Sequence, residues 1–104
     1  MTKGFSFYKV LEKYESKSQE IFSYIINNPK IQHYEVIVGL FYCIGFGINK
    51  NENAAFSWYI KASQQNDING YYEVGFYYEF YKQNYEEAFK FYQLAANNGL
   101  NIAS

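Results

Sequence analysis

The sequence predicts an all-α fold: an α-solenoid in which one N-terminal helix precedes two stacked antiparallel helix pairs. Three observations predict it. First, Val38-Gly39-Leu40-Phe41-Tyr42 returns as Val74-Gly75-Phe76-Tyr77-Tyr78, offset by 36 positions. Ala55-Phe56-Ser57-Trp58-Tyr59-Ile60-Lys61-Ala62-Ser63 returns as Ala88-Phe89-Lys90-Phe91-Tyr92-Gln93-Leu94-Ala95-Ala96, offset by 33. A period of this size marks helical units that bury their apolar faces on one another. Second, apolar residues recur at helical spacing in the segments between turn signals. Third, Pro29 is the only proline, so nearly the whole chain is free to be helical.

From Phe5 to Ile26, residues Tyr8, Leu11, Tyr14, Ile21, Phe22 and Ile25 trace one amphipathic helix, with Glu15-Ser16-Lys17-Ser18 the stretch most prone to fray or break. Asn27-Asn28-Pro29 stops it, since asparagine suits a left-handed helix end and proline bars continuation. The next helix spans Gln32 to Ile44 on a stripe of Tyr34, Ile37, Val38, Phe41 and Tyr42, and Gly45-Phe46-Gly47 turns the chain. Asn51 is the expected N-cap of a helix from Glu52 to about Gln65, Asp67 of one running to about Lys82, and Asn84 of one from Tyr85 to Asn97. Gly99 is the expected C-terminal cap residue of the last helix.

Composition narrows the function. A net charge of −1 supplies no basic field for phosphates, which argues against nucleic acid as the partner. The aromatic content of 23% is therefore read as packing and not as a base-stacking platform. No apolar run approaches the roughly 20 residues that span a bilayer. A single cysteine, Cys43, forms no internal disulfide, so a soluble, intracellular, cytoplasmic protein is expected. His33, the only histidine, lies ten residues from Cys43, about 15 Å of rise on a straight helix and too far for a nucleophile–base pair. Two such donors fall short of a metal set, and the Gly45-Phe46-Gly47 turn lacks the context of a phosphate loop. No enzyme activity, cofactor or metal is expected.

The first unit resembles a Sel-one-like repeat, a relative of the tetratricopeptide repeat. The residues that carry the likeness are Val38-Gly39, Tyr42, Gly45, Gly47 and Ile48, then Asn51, Ala55, Trp58-Tyr59 and Lys61-Ala62-Ser63. The second unit keeps Gly75, Tyr78, Ala88, Phe91-Tyr92 and Ala95-Ala96 but lacks the two turn glycines, and its loop is three residues shorter. The organisation expected is an N-terminal helix over 1–30, as a degenerate half repeat in which Phe22 and Ile26 stand where Trp58 and Ala62 stand, and repeats over 31–66 and 67–99. Residues 100–104 then open a third repeat. Small residues at Gly39, Gly75, Ala55, Ala62, Ala88 and Ala95 are expected where helices approach closely, with Tyr42, Trp58, Tyr78 and Phe91 filling the volume between successive pairs.

The resemblance implies a protein or peptide partner bound on the inner, concave face, lined by the first helix of each pair. Its positions fall on His33, Val36, Leu40 and Cys43 in the first unit and on Asn69, Tyr72, Phe76 and Glu79 in the second. Three or four apart, they form one stripe on each helix. Two arrangements fit this apolar stripe: an open groove for a peptide or amphipathic helix, or a core surface covered by the N-terminal helix. The expected role is a scaffold or adaptor, with signalling suggested by related repeats in chains that also carry a kinase domain. The alternative is a structural section of a longer array with no partner of its own. Exposed repeat ends also imply self-association.

Overall fold

The computed structural model describes residues 7–103. They form five helices in chain order: α1 (Phe7–Ile26), α2 (Tyr34–Ile44), α3 (Glu52–Gln64), α4 (Ile68–Phe80) and α5 (Tyr85–Ala103). Helices α2 and α3 pack as one pair and α4 and α5 as a second, with α3 joined to α4 between them. Helix α1 lies against α2 and the turn that follows it. The fold is the all-α helical repeat that the 36- and 33-residue offsets predict.

Caps start the helices where expected. Asn51 Oδ1 accepts from the Ala54 N–H at 3.0 Å, Asp67 Oδ1 from Asn69 N–H at 3.0 Å and Asn84 Oδ1 from Glu87 N–H at 3.2 Å. Each satisfies a donor that the first helical turn leaves unpaired. The two turns differ in length yet close on the same bond. In the first unit the Asn51 N–H donates to the Tyr42 carbonyl at 2.8 Å, and in the second the Asn84 N–H donates to Tyr78 at 2.9 Å. Gly45 (φ 77°) and Gly47 (φ 73°) supply the left-handed residues of the long turn, whereas the short one uses Gln83 at φ 51°.

Two boundaries differ from expectation, and the N-terminal helix is continuous through the stretch most prone to break. Helix α2 begins at Tyr34 because His33 takes a left-handed conformation, φ 62°, as its N-cap. Helix α1 runs unbroken through Ser18, whose hydroxyl donates back to the Glu15 carbonyl at 2.7 Å and which is buried under the Gly47 turn. Helix α5 does not stop at Gly99 but continues to Ala103. A glycine only weakens a helix, by about 1 kcal/mol relative to alanine, so it does not end one without a turn to follow. Phe5 and Ser104 lie outside the described residues, as do the side chains of Tyr8 and Leu11 on α1 and of residues 100–103 on α5.

The core gathers Ala55, Tyr59 and Val74, with Tyr42, Cys43, Phe56, Tyr78 and Phe91 around them. Phe56 stacks on Tyr77 (centroids 4.0 Å) and meets Tyr78 edge-on (5.7 Å), which joins the two pairs. Tyr78 in turn stacks on Phe91. Trp58 takes no part in that junction: it lies edge-on to Tyr34 within its own pair, with the Lys61 ammonium 4.5 Å from its ring centroid. On α1, Phe22 meets Phe41 at 6.1 Å and Tyr42 edge-on at 5.8 Å, the counterparts of Tyr77 and Tyr78. Phe22 therefore makes the contacts of Phe56, two positions away from the Trp58 role expected of it.

Candidate functional site

Glycine sets the geometry of the inner face. A Cβ on Gly39 would stand 2.5 Å from Tyr59 Cε1, and one on Gly75 2.7 Å from Tyr92 Cε1. In each unit the first helix thus gives up a side chain so that a tyrosine ring of the second helix lies flat beneath it. The ring carries its hydroxyl under the first helix, toward the residue four positions after the glycine. That residue is Cys43 in the first unit and Glu79 in the second.

The two hydroxyls meet different fates. Tyr92 donates to Glu79 Oε1 at 2.7 Å, and burial together with this carboxylate pushes its pKa up to about 12. Tyr59 is 4% exposed, and its hydroxyl has no hydrogen-bond partner among the described residues. Cys43, a weak acceptor at best, stands where a carboxylate would. Burial raises the Tyr59 pKa far above its ordinary value, and the neighbouring Glu73 and Cys43 raise it further.

Tyr59 lines a recess of about 50 Å³ between α2, α3 and α4, together with Leu40, Cys43, Glu73, Phe76 and Tyr81 among others. Its walls are largely apolar. Glu73 is half-buried and makes no hydrogen bond or ion pair among the described residues, and burial lifts its pKa above the ordinary carboxylate range. Glu52, on the same recess, is occupied by Lys50 at 3.5 Å.

The eight residues expected on the inner face are distributed unevenly. Leu40, Cys43 and Phe76 converge on the recess. Tyr72 (49% exposed) and Phe76 (48%) continue the surface along α4, where the Phe80 ring lies tilted against Phe76, centroids 4.4 Å apart. Glu79 is held by Tyr92. His33 and Asn69 sit at the helix starts beside a polar cleft that also includes Glu35, Gln65 and Asp67. There His33 Nδ1 meets Asp67 Oδ2 at 2.8 Å and ties the first unit to the cap of the second. Val36 is buried. Among the described residues, α1 makes no contact with α4, whose Tyr72, Phe76 and Phe80 are exposed.

Tyr59, Glu73, Phe80 and Tyr81 were not among the expected residues. The signal that finds the first is in the repeat itself: aligning the units sets Tyr59 over Tyr92 and Cys43 over Glu79, so one tyrosine keeps an acceptor and the other does not.

Among the described residues, no group of three or more His, Cys, Asp or Glu side chains is placed to hold a metal ion. No helix there is long and apolar enough to cross a membrane. With this geometry in place, comparison with known proteins identifies the class. Residues 36–67 and 69–100 each match the Sel1 repeat, and the chain belongs to the Sel1 repeat family. Such repeats are non-catalytic and generally mediate protein–protein interaction. No curated protein and no solved structure matches the chain.

Proposed function

We infer that this chain is a protein-interaction module, an adaptor or scaffold whose binding face is the open side of α2 and α4. The observation that carries this reading is the run of partly exposed apolar side chains on that side: Leu40, Tyr72, Phe76 and Phe80. Large apolar side chains left in contact with water over a continuous surface favour a partner that removes them from it. An extended peptide or one amphipathic helix fits the width between two helices. A signalling assembly inside the cell is the setting this role suits, and the lone thiol of Cys43 is compatible with a reducing compartment.

The test uses peptides selected from a displayed random library against the folded protein. Tyr72→Ala/Phe76→Ala is expected to lose the selected peptides while keeping its helicity. Equal binding by the double variant places the partner surface elsewhere.

A second reading has its own observation. Phe89 is the counterpart of Phe56, yet it is 65% exposed where Phe56 lies beneath Tyr77. That bare face of α5 suits a further repeat or a second copy of the chain, as in a section of a longer array.

A further inference from the structure

The inner face holds one feature that an apolar groove does not require. Among the described residues, the Tyr59 hydroxyl is buried without a partner, and Glu73, in the same recess, is half-buried without a counter-ion. Leaving either polar group unpaired away from water is costly, and the second unit avoids the cost by pairing Tyr92 with Glu79. No lysine lines the recess, and the chain has no arginine. Lys50 stands beside Tyr81 but pairs with Glu52, so a cation for Glu73 is one that a partner brings.

Resting on the reading of α2 and α4 as a peptide-binding face, we propose that the recess beneath Leu40 and Phe76 takes a lysine side chain of the bound partner, flanked by apolar residues. Each part of lysine matches part of the site. Its four-carbon stem suits the apolar walls of Leu40 and Phe76, in the way such stems cover apolar surface elsewhere. Its ammonium brings three donors for Glu73 and Tyr81, both of which line the recess, while the Tyr59 hydroxyl is too deeply buried to be met without a local shift. Arginine is the poorer fit, because a planar guanidinium brings five donors and leaves more of them against apolar walls. The apolar flanks of the same peptide lie on Tyr72 and Phe80, the exposed aromatics beside the recess on α4. A volume of about 50 Å³ exceeds what one water needs, so the site admits the end of a side chain.

The probe is a positional-scanning array of short peptides in which one residue is fixed and the others are mixed, incubated with labelled protein. At one position lysine is expected to exceed norleucine, which keeps the stem without the charge, by roughly tenfold. Glu73→Gln is expected to erase that preference while apolar residues are still selected at neighbouring positions. Salt supplies a readout that needs no variant: the lysine preference should shrink as salt rises while norleucine binding does not. Apolar selection without a lysine position, or a lysine preference indifferent to Glu73→Gln and to salt, overturns the proposal and leaves the binding face standing. Peptide binding that is absent, or unchanged in Tyr72→Ala/Phe76→Ala, overturns the face and the lysine site together.

Discussion

Replacing Tyr59 or Tyr92 with phenylalanine removes the same atom from the same position of the two units, and the expected effects have opposite signs. Tyr92 donates to the Glu79 carboxylate at 2.7 Å. A hydrogen bond to a charged group contributes about 1.5–3 kcal/mol when sheltered; at this half-exposed site a loss of about 1 kcal/mol is expected from Tyr92→Phe. Among the described residues the buried Tyr59 hydroxyl has no partner beyond the weak sulfur of Cys43 beside it, a condition that costs about 1–3 kcal/mol. Tyr59→Phe keeps the ring under Gly39 and deletes only the unpaired oxygen, so it is expected to stabilise by about 1 kcal/mol. For a chain of this size each change moves the melting temperature by about 4–8 °C, down for Tyr92→Phe and up for Tyr59→Phe. Thermal denaturation followed by far-ultraviolet circular dichroism reads both. Equal destabilisation by the two substitutions would refute the reasoning, because it would mean that the Tyr59 hydroxyl is bonded as Tyr92 is.

Three further outcomes follow from the same contacts. Ala62 is fully buried, and a Cβ on Gly70 would stand only 2.7 Å from its own, so Ala62→Leu should overpack the α3–α4 junction and cost about 1–3 kcal/mol in a urea titration; an unchanged midpoint would count against this packing. Because the Tyr92 pKa rises from 10.0 to about 12, the folded state holds that proton more tightly than the unfolded chain. Its contribution is therefore intact below pH 10 and declines as pH rises toward 12, and alkaline denaturation should be shallower in Tyr92→Phe than in the parent. The bare Phe89 on α5 predicts concentration-dependent self-association in light scattering, abolished by Phe89→Glu; a parent that stays monomeric at high concentration contradicts it.

Much of the fold was legible because it is local and repeated. Asn51, Asp67 and Asn84 act within three residues of themselves, so their caps are readable from spacing alone. The glycines at 39 and 75 mark close approach, though what approaches is a tyrosine ring together with the facing backbone. Gly99 misled because a C-terminal cap needs a turn beyond it, and none follows in the helix that runs to Ala103. Phe22 misled by two positions because the register of α1 is set where its ring meets Phe41 and Tyr42, and spacing within α1 carries no record of that contact.

The inner face was half legible for a related reason. Helical spacing groups Leu40 with Cys43 and Tyr72 with Phe76, and these do share the open side. Spacing does not reveal that Val36 turns into the core or that His33 is engaged by the cap of the next unit, since both depend on a neighbouring helix. The unpaired hydroxyl of Tyr59 is subtler still. It arises from one difference between the units, Cys43 in place of Glu79, and matters only because Gly39 lets the ring reach that far.

The most direct test of the account is a nuclear magnetic resonance titration of the labelled protein with a library-selected peptide. Shift changes are expected at Leu40, Cys43, Tyr72, Phe76 and Phe80 on α2 and α4, with Glu73 moving alongside them. Changes confined to α1 or to the outer face of α5, with those residues still, would contradict it.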